Sequence, residues 1–189
     1  MEKYENMYEG IMRNCPPVFF LYPVVSYSVS LQDIPNHIAF VINMGNCTKG
    51  CEGCHSKDVM GYDACNLTKR VPLEEVLAEA YKVYKQGVRV CCIMGGTTND
   101  GVTKASLTAL INILSLIFKV GLYSGSDGDI NDEGINSYYA YCTPLTYLKV
   151  GSYKKELGGL SSDKTNQKFY ERDWLDGEWH DRTSLFVNK

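Results

Sequence analysis

No cluster of lysine and arginine stands anywhere in this chain, whose net charge is −3. Binding to nucleic acid through a basic face is therefore not expected. No apolar run is long enough to span a bilayer. The stretch Val18 to Val25 is broken by Pro23 and follows Pro16 and Pro17. The first ten residues, MEKYENMYEG, carry Glu2, Glu5 and Glu9, where a secretory signal needs a positive start and an apolar core. A cytoplasmic protein without membrane contact is expected. Internal repeats and low-complexity linkers are also missing, so one domain over residues 1–189 is expected.

In a reducing compartment the eight cysteines do not read as a disulfide framework. The glycosylation triplets at Asn46 and Asn66 are then chance matches.

Several segments carry clear periodicity. The run IAFVINM, residues 38–44, is apolar and β-branched and reads as a buried strand. In VPLEEVLAEAYKVYKQG, residues Leu73, Val76, Leu77, Ala80, Val83 and Tyr84 share one helical face between Pro72 and Gly87. VRVCCIM, Val88 to Met94, reads as a second buried strand ending in Gly95-Gly96. TKASLTALINILSLIFKVG reads as a second helix stopped by Gly121. Leu122–Ser124 reads as a short strand, Gly134–Tyr141 as a helix, and Thr146–Val150 as a fourth strand ending in Gly151. Alternating strands and helices predict an α/β fold with a parallel sheet. In such sheets, sites form at the carboxyl ends of strands. The segments at those ends are Asn43–Ser56, Gly95-Gly96, Ser124-Gly125 and Lys149–Gly151.

The first of them, NMGNCTKGCEGCHS, places Cys47, Cys51 and Cys54 at C-x3-C-x2-C spacing. Gly50, Gly53, Lys49 and Glu52 make it a polar loop rather than buried core. A structural zinc site would add His55 as fourth ligand. All four ligands would then crowd one loop, and no second C-x2-C pair exists. An iron–sulfur cube normally takes four thiolates. Three leave one iron open, as a catalytic zinc leaves one position open.

This spacing resembles the signature of the radical S-adenosylmethionine (SAM) enzymes. The neighbourhood GCEGCHS, with Gly53 where many members have an aromatic residue, resembles the small activating proteins of anaerobic (class III) ribonucleoside-triphosphate reductase. SLQDIPNHIAFVINMGNC, VCCIMGGTTND, LYSG and YLKVGSYKKELGGLSSDKTNQKFY resemble that family's successive segments, over a core of about residues 26–170, with 171–189 as a C-terminal extension. The resemblance implies a single-domain partial (β/α) barrel, open on one side. It implies a [4Fe–4S] cluster held by Cys47, Cys51 and Cys54, with SAM chelating the open iron. It implies a glycyl radical made on the reductase as protein substrate, with an electron from a flavodoxin-like donor.

The same resemblance assigns roles around SAM. His55 lies either near the adenine or in solvent. Gly95 and Gly96 offer backbone to the methionine moiety, or simply end a strand. Many relatives carry a carboxylate after the glycine pair. This chain has Thr97, Thr98 and Asn99 with Asp100 beyond, so Thr97 Oγ or backbone carbonyls would take its place. Ser124 stands where a third-strand hydroxyl meets SAM, and Lys149 is a candidate for its carboxylate or ribose. Asn166-Gln167 would bond backbone near the cluster or at the reductase surface. Trp174 and Trp179 either anchor a partner or pack on the chain itself. Cys91 and Cys92, adjacent on a strand, point to opposite faces. The alternatives are activation of another glycyl-radical enzyme, and a non-catalytic zinc-binding adaptor domain.

Overall fold

The computed structural model describes residues 20–54 and 70–187. Cys15, His55 and Cys65, the Asn66 triplet and the acidic start lie outside them. The strands are β1 (Leu21–Tyr22), β2 (Val24–Ser30), β3 (Ala39–Met44), β4 (Val71–Pro72), β5 (Val90–Met94), β6 (Lys119–Tyr123), β7 (Tyr147–Val150), β8 (Lys168–Arg172) and β9 (Trp179–Asp181). The helices are α1 (Leu73–Lys85), α2 (Lys104–Leu114), α3 (Ile135–Cys142) and α4 (Ser184–Val187). No helix among the described residues is long and apolar enough to cross a membrane.

This is a mixed α/β fold. Seven strands form one sheet in the order β2-β3-β5-β6-β7-β8-β9, and β1 pairs separately with β4. The four central strands, β3, β5, β6 and β7, run parallel. Both flanks are antiparallel, β2 on β3 and β8 and β9 beyond β7. The parallel pairing expected from sequence holds for the four central strands, and the antiparallel flanks make the sheet a mixed one. Parallel neighbours need a crossover of about a dozen residues or more. The links 31–38 and 173–178 are too short for that, so β3 turns straight back on β2 and β9 on β8, whereas β8 returns along β7 after the longer link 151–167.

Helix boundaries follow local chemistry. Pro72 caps α1 at φ −69°, Glu74 and Glu75 sit in its first turn and Lys82 and Lys85 in its last, each complementing the helix dipole. Gly87 at φ +99° ends the segment. Thr103 and Ser106 form a capping box at the start of α2. The expected stop at Gly121 is corrected: α2 ends at Leu114, and Gly121 lies inside β6. A Cβ there would come within 2.9 Å of Ile34 Cδ1 and 3.3 Å of Tyr147 Cβ. Gly121 thus admits a close neighbour across the sheet face rather than ending a helix.

The strands' alternation sorts side chains into two cores. One face carries Phe40, Ile42, Cys91, Ile93, Leu122 and Leu148 and is covered by α1, α2 and α3. The other carries Val41, Cys92, Tyr147 and Phe169, closed by Ile34 and by Phe186 of α4. Cys91 and Cys92 therefore face opposite cores, and burial pushes both thiols well up from their ordinary range. They behave as small apolar residues.

Candidate functional site

Register builds the floor of the site. Asn43 pairs with Met94, Met94 with Tyr123, and Tyr123 with Lys149. These four side chains form one row across the parallel strands, near their carboxyl ends, on the face without α1–α3. They line a cavity of about 150 Å³. Cys47, Cys51 and Cys54 close it from above, each half-buried and free of disulfide.

The loops leaving β5, β6 and β7 hold the cysteine loop at three successive points. After β5, Thr98 O accepts from both Thr48 N and Thr48 Oγ1, each at 2.9 Å. Asp100 N donates to Asn46 O at 3.0 Å, and Cys47 and Asn99 form an isolated antiparallel bridge. After β6, Asp127 pairs with Lys49 at 2.8 Å. After β7, Lys155 pairs with Glu52 at 2.6 Å. Asn46, Gly50 and Gly53 all have positive φ, of 61°, 60° and 73°. The glycines reach this region with little strain, and asparagine tolerates it better than most residues.

The residues singled out from sequence fall into two sets. Gly95, Ser124 and Lys149 line the cavity together with the three cysteines. Gly96 turns toward α2, where a Cβ would lie 2.9 Å from Leu107 Cδ2. Thr97 Oγ1 lies 2.9 Å from Ser124 Oγ, so its hydroxyl is engaged within the chain. His55 lies outside the described residues.

Ser124 is equally committed. Its hydroxyl donates to Asn136 Oδ1 at 2.7 Å and accepts from Ser126 N at 3.1 Å. With that hydrogen used, Thr97 is the donor between the two hydroxyls. Asn136 completes the knot by donating to Ser126 O at 3.1 Å and Gly128 O at 2.8 Å. The loop after β6 is thus rigid at its base.

Lys149 is 8% exposed, and its ammonium donates to Gly151 O at 2.5 Å. Burial pulls its pKa down to about 8, against the opposing pull of Cys51, Cys54 and Asp127. Gln167 Nε2 donates to the same carbonyl at 3.3 Å, and Asn166 Nδ2 donates to Ser152 O at 3.0 Å. The amide pair foreseen in the tail therefore bonds backbone at the cavity rim.

Sequence reading missed Asn99, Asp127 and Asn136 as organisers of the site. Asn99 stood out only as the place where a carboxylate was lacking. Asp127 and Asn136 follow a strand end marked by Ser124-Gly125, and nothing nearer in sequence marks their partners. Trp174 and Trp179 both bond within the chain, to Thr146 Oγ1 and Ala140 O at 3.3 and 3.2 Å. Trp174 still leaves half its surface exposed.

The thiol arrangement bears on what the loop can bind. Four sulfurs around one zinc lie about 3.8 Å apart, given Zn–S bonds of about 2.3 Å in a tetrahedron. Among the described residues, the ligating atoms that all lie within 4.8 Å of one another belong to Asp173, Asp176 and His180, not to the three cysteines. The three thiols do not all lie within 4.8 Å of one another, and Cys47, Cys51 and Cys54 are the side chains of this loop that could hold a metal or a cluster. No protein-family model, curated protein or solved structure matches this chain.

Proposed function

We propose that this chain is a radical SAM activase of an anaerobic ribonucleoside-triphosphate reductase. One observation carries the reading: three free, half-buried thiols at C-x3-C-x2-C spacing stand on the loop after the first parallel strand and line a cavity at the sheet's carboxyl edge. Cys47, Cys51 and Cys54 would hold a [4Fe–4S] cluster. When bound, the cluster supplies one electron, received from a flavodoxin-like donor, to cleave SAM and so remove a hydrogen from a glycine of the reductase.

The chain's own residues would orient SAM. Lys149 uses one ammonium hydrogen on Gly151 O and keeps others for a carboxylate. Gly95 leaves backbone open at the cavity wall. Gly96, Thr97 and Ser124 would support these contacts from behind. His55 follows the last thiol and lies outside the described residues. The face without α1–α3, with β2 and β9 at the sheet's edges among the described residues, supports a partial (β/α) barrel open on one side. Such an opening would admit a protein loop as substrate. A cytoplasmic location suits a cluster that needs reduction.

Anaerobic reconstitution tests this. About four iron per chain are expected, with 5′-deoxyadenosine released on adding dithionite and SAM. With the candidate reductase, a glycyl radical should appear by EPR. Stoichiometric zinc, no iron and no SAM cleavage would overturn the reading in favour of an adaptor domain. SAM cleavage without a radical on the reductase would point to another glycyl-radical enzyme as substrate.

A further inference from the structure

Resting on the cluster reading of the three thiols, the geometry points to Asn99 as a positioning residue that sets Cys47 in place before any metal arrives, leaving Cys51 and Cys54 to adjust. Asn99 is 6% exposed. Its side-chain amide donates to Met44 O at 3.2 Å and to Gly45 O at 2.7 Å, and its Oδ1 accepts from Gly96 N at 2.7 Å. One buried side chain thereby joins the end of β3 to the turn after β5.

The backbone bonds around it are confined to the same short segment. Cys47 bridges Asn99, Asn46 O accepts from Asp100, and Thr48 donates to Thr98. Beyond Thr48 the side-chain holds change in kind. Lys49 meets Asp127, whose side chain is 57% exposed, and Glu52 meets Lys155 with 79% and 63% exposure. Such solvent-screened pairs hold a chain weakly. The bond from Cys54 N to Cys51 O at 3.2 Å lies within the loop itself. The first thiol is therefore held by buried hydrogen bonds and backbone pairing, and the other two only through exposed ion pairs.

Chemistry makes asparagine the fitting residue. The position needs two donors and one acceptor at fixed reach. A carboxylate would face two carbonyl oxygens. Gly95 makes room for it, since a Cβ there would lie 2.8 Å from Asn99 Oδ1.

The test labels the metal-free protein with iodoacetamide and reads each cysteine by peptide mass spectrometry. In the native chain Cys47 should react more slowly than Cys51 and Cys54. In Asn99→Ala and Asn99→Asp its rate should rise about tenfold, as loss of these bonds implies, with Cys51 and Cys54 unchanged. Equal labelling of all three in the native chain overturns the proposal. So does an unchanged Cys47 rate in an Asn99→Asp protein with native circular dichroism. Should both variants unfold, amide exchange on the native chain decides. Thr48 and Asp100 should be protected while Gly53 exchanges fast, and uniform exchange overturns the proposal. Iron content of the reconstituted native chain separates the two readings. Slow Cys47 labelling with no iron uptake would sink the cluster reading and leave the anchoring by Asn99 standing.

Discussion

Lys49 and Asp127 meet at 2.8 Å across the mouth of the site, and the other oxygen of Asp127 takes both Ser152 N and Ser152 Oγ, at 3.0 and 2.6 Å. One carboxylate thus ties the middle of the cysteine loop to the exits of β6 and β7. These donors hold the Asp127 carboxyl well below the usual carboxylate range. A lowered folded pKa means stability that is present at neutral pH and lost as pH falls below about 3.9. Asp127 is exposed, so screening keeps the effect small. Asp127→Ala should cost less than about 1 kcal/mol in urea unfolding at pH 7, while thiol labelling of Cys51 quickens. A loss of several kcal/mol would contradict this account.

Lys149 gives the opposite kind of pH dependence. Its folded pKa is about 8 against 10.5 for the free side chain. Between those values the unfolded chain binds more protons, so stability should rise with pH from about 8 to 10.5. Below pH 8 the buried charge is a standing cost. Lys149→Met should raise the stability of the metal-free protein at pH 7, by at most about 3 kcal/mol on the linkage scale, and abolish the rise. Buried tyrosines such as Tyr22 and Tyr139, whose ionisation burial opposes, affect both proteins alike at high pH. The difference between the two urea-unfolding series therefore reports Lys149 together with its interaction with Cys51, Cys54 and Asp127. Parallel series would exclude it.

Two glycines separate backbone strain from crowding. Gly50 has φ +60° and no atom within 4 Å of a Cβ, whereas Gly95 has φ +96° and Asn99 Oδ1 at 2.8 Å. Gly50→Ala should cost about 1 kcal/mol, the left-handed backbone term alone. Gly95→Ala should cost clearly more and displace Asn99, so that Cys47 labelling quickens only in that variant. Thermal or urea unfolding of the two, with labelling alongside, checks both points.

Asn136 is buried and serves four partners in the loop after β6, Ser124, Ser126, Asp127 and Gly128. Asn136→Ala leaves Ser124, Ser126, Asp127 and Gly128 groups without it. Its cost should be about 2–4 kcal/mol in urea unfolding, since each orphaned buried group costs about 1–3 kcal/mol. A cost under 0.5 kcal/mol, the scale of ordinary surface changes, would show that water replaces the amide.

Much of the fold was readable where burial is two-sided. The runs at β3, β5 and β7 and the amphipathic face of α1 needed only neighbouring residues to identify. The flanking strands were not found, for a physical reason. In VVSYSVS of β2, Val25 and Val29 are exposed and only Val24 is fully buried. An edge strand with a solvent face carries a weak pattern. Gly121 shows the converse, because a glycine after an apolar helix reads as a stop until Ile34 is seen packed against it.

The sequence alone determined the type and order of the chemistry. Three thiols at close spacing follow the first parallel strand, and glycines and a lysine follow or end the next ones. Those features are local, so neighbouring residues suffice to specify them. Tertiary structure alone decided that Asn43, Met94, Tyr123 and Lys149 share one row. It also decided that Asn99 holds Met44 and Gly45, and that Asp127 joins Lys49 to Ser152. Those relationships depend on strand register, which packing of whole helices and cores sets across long sequence separations.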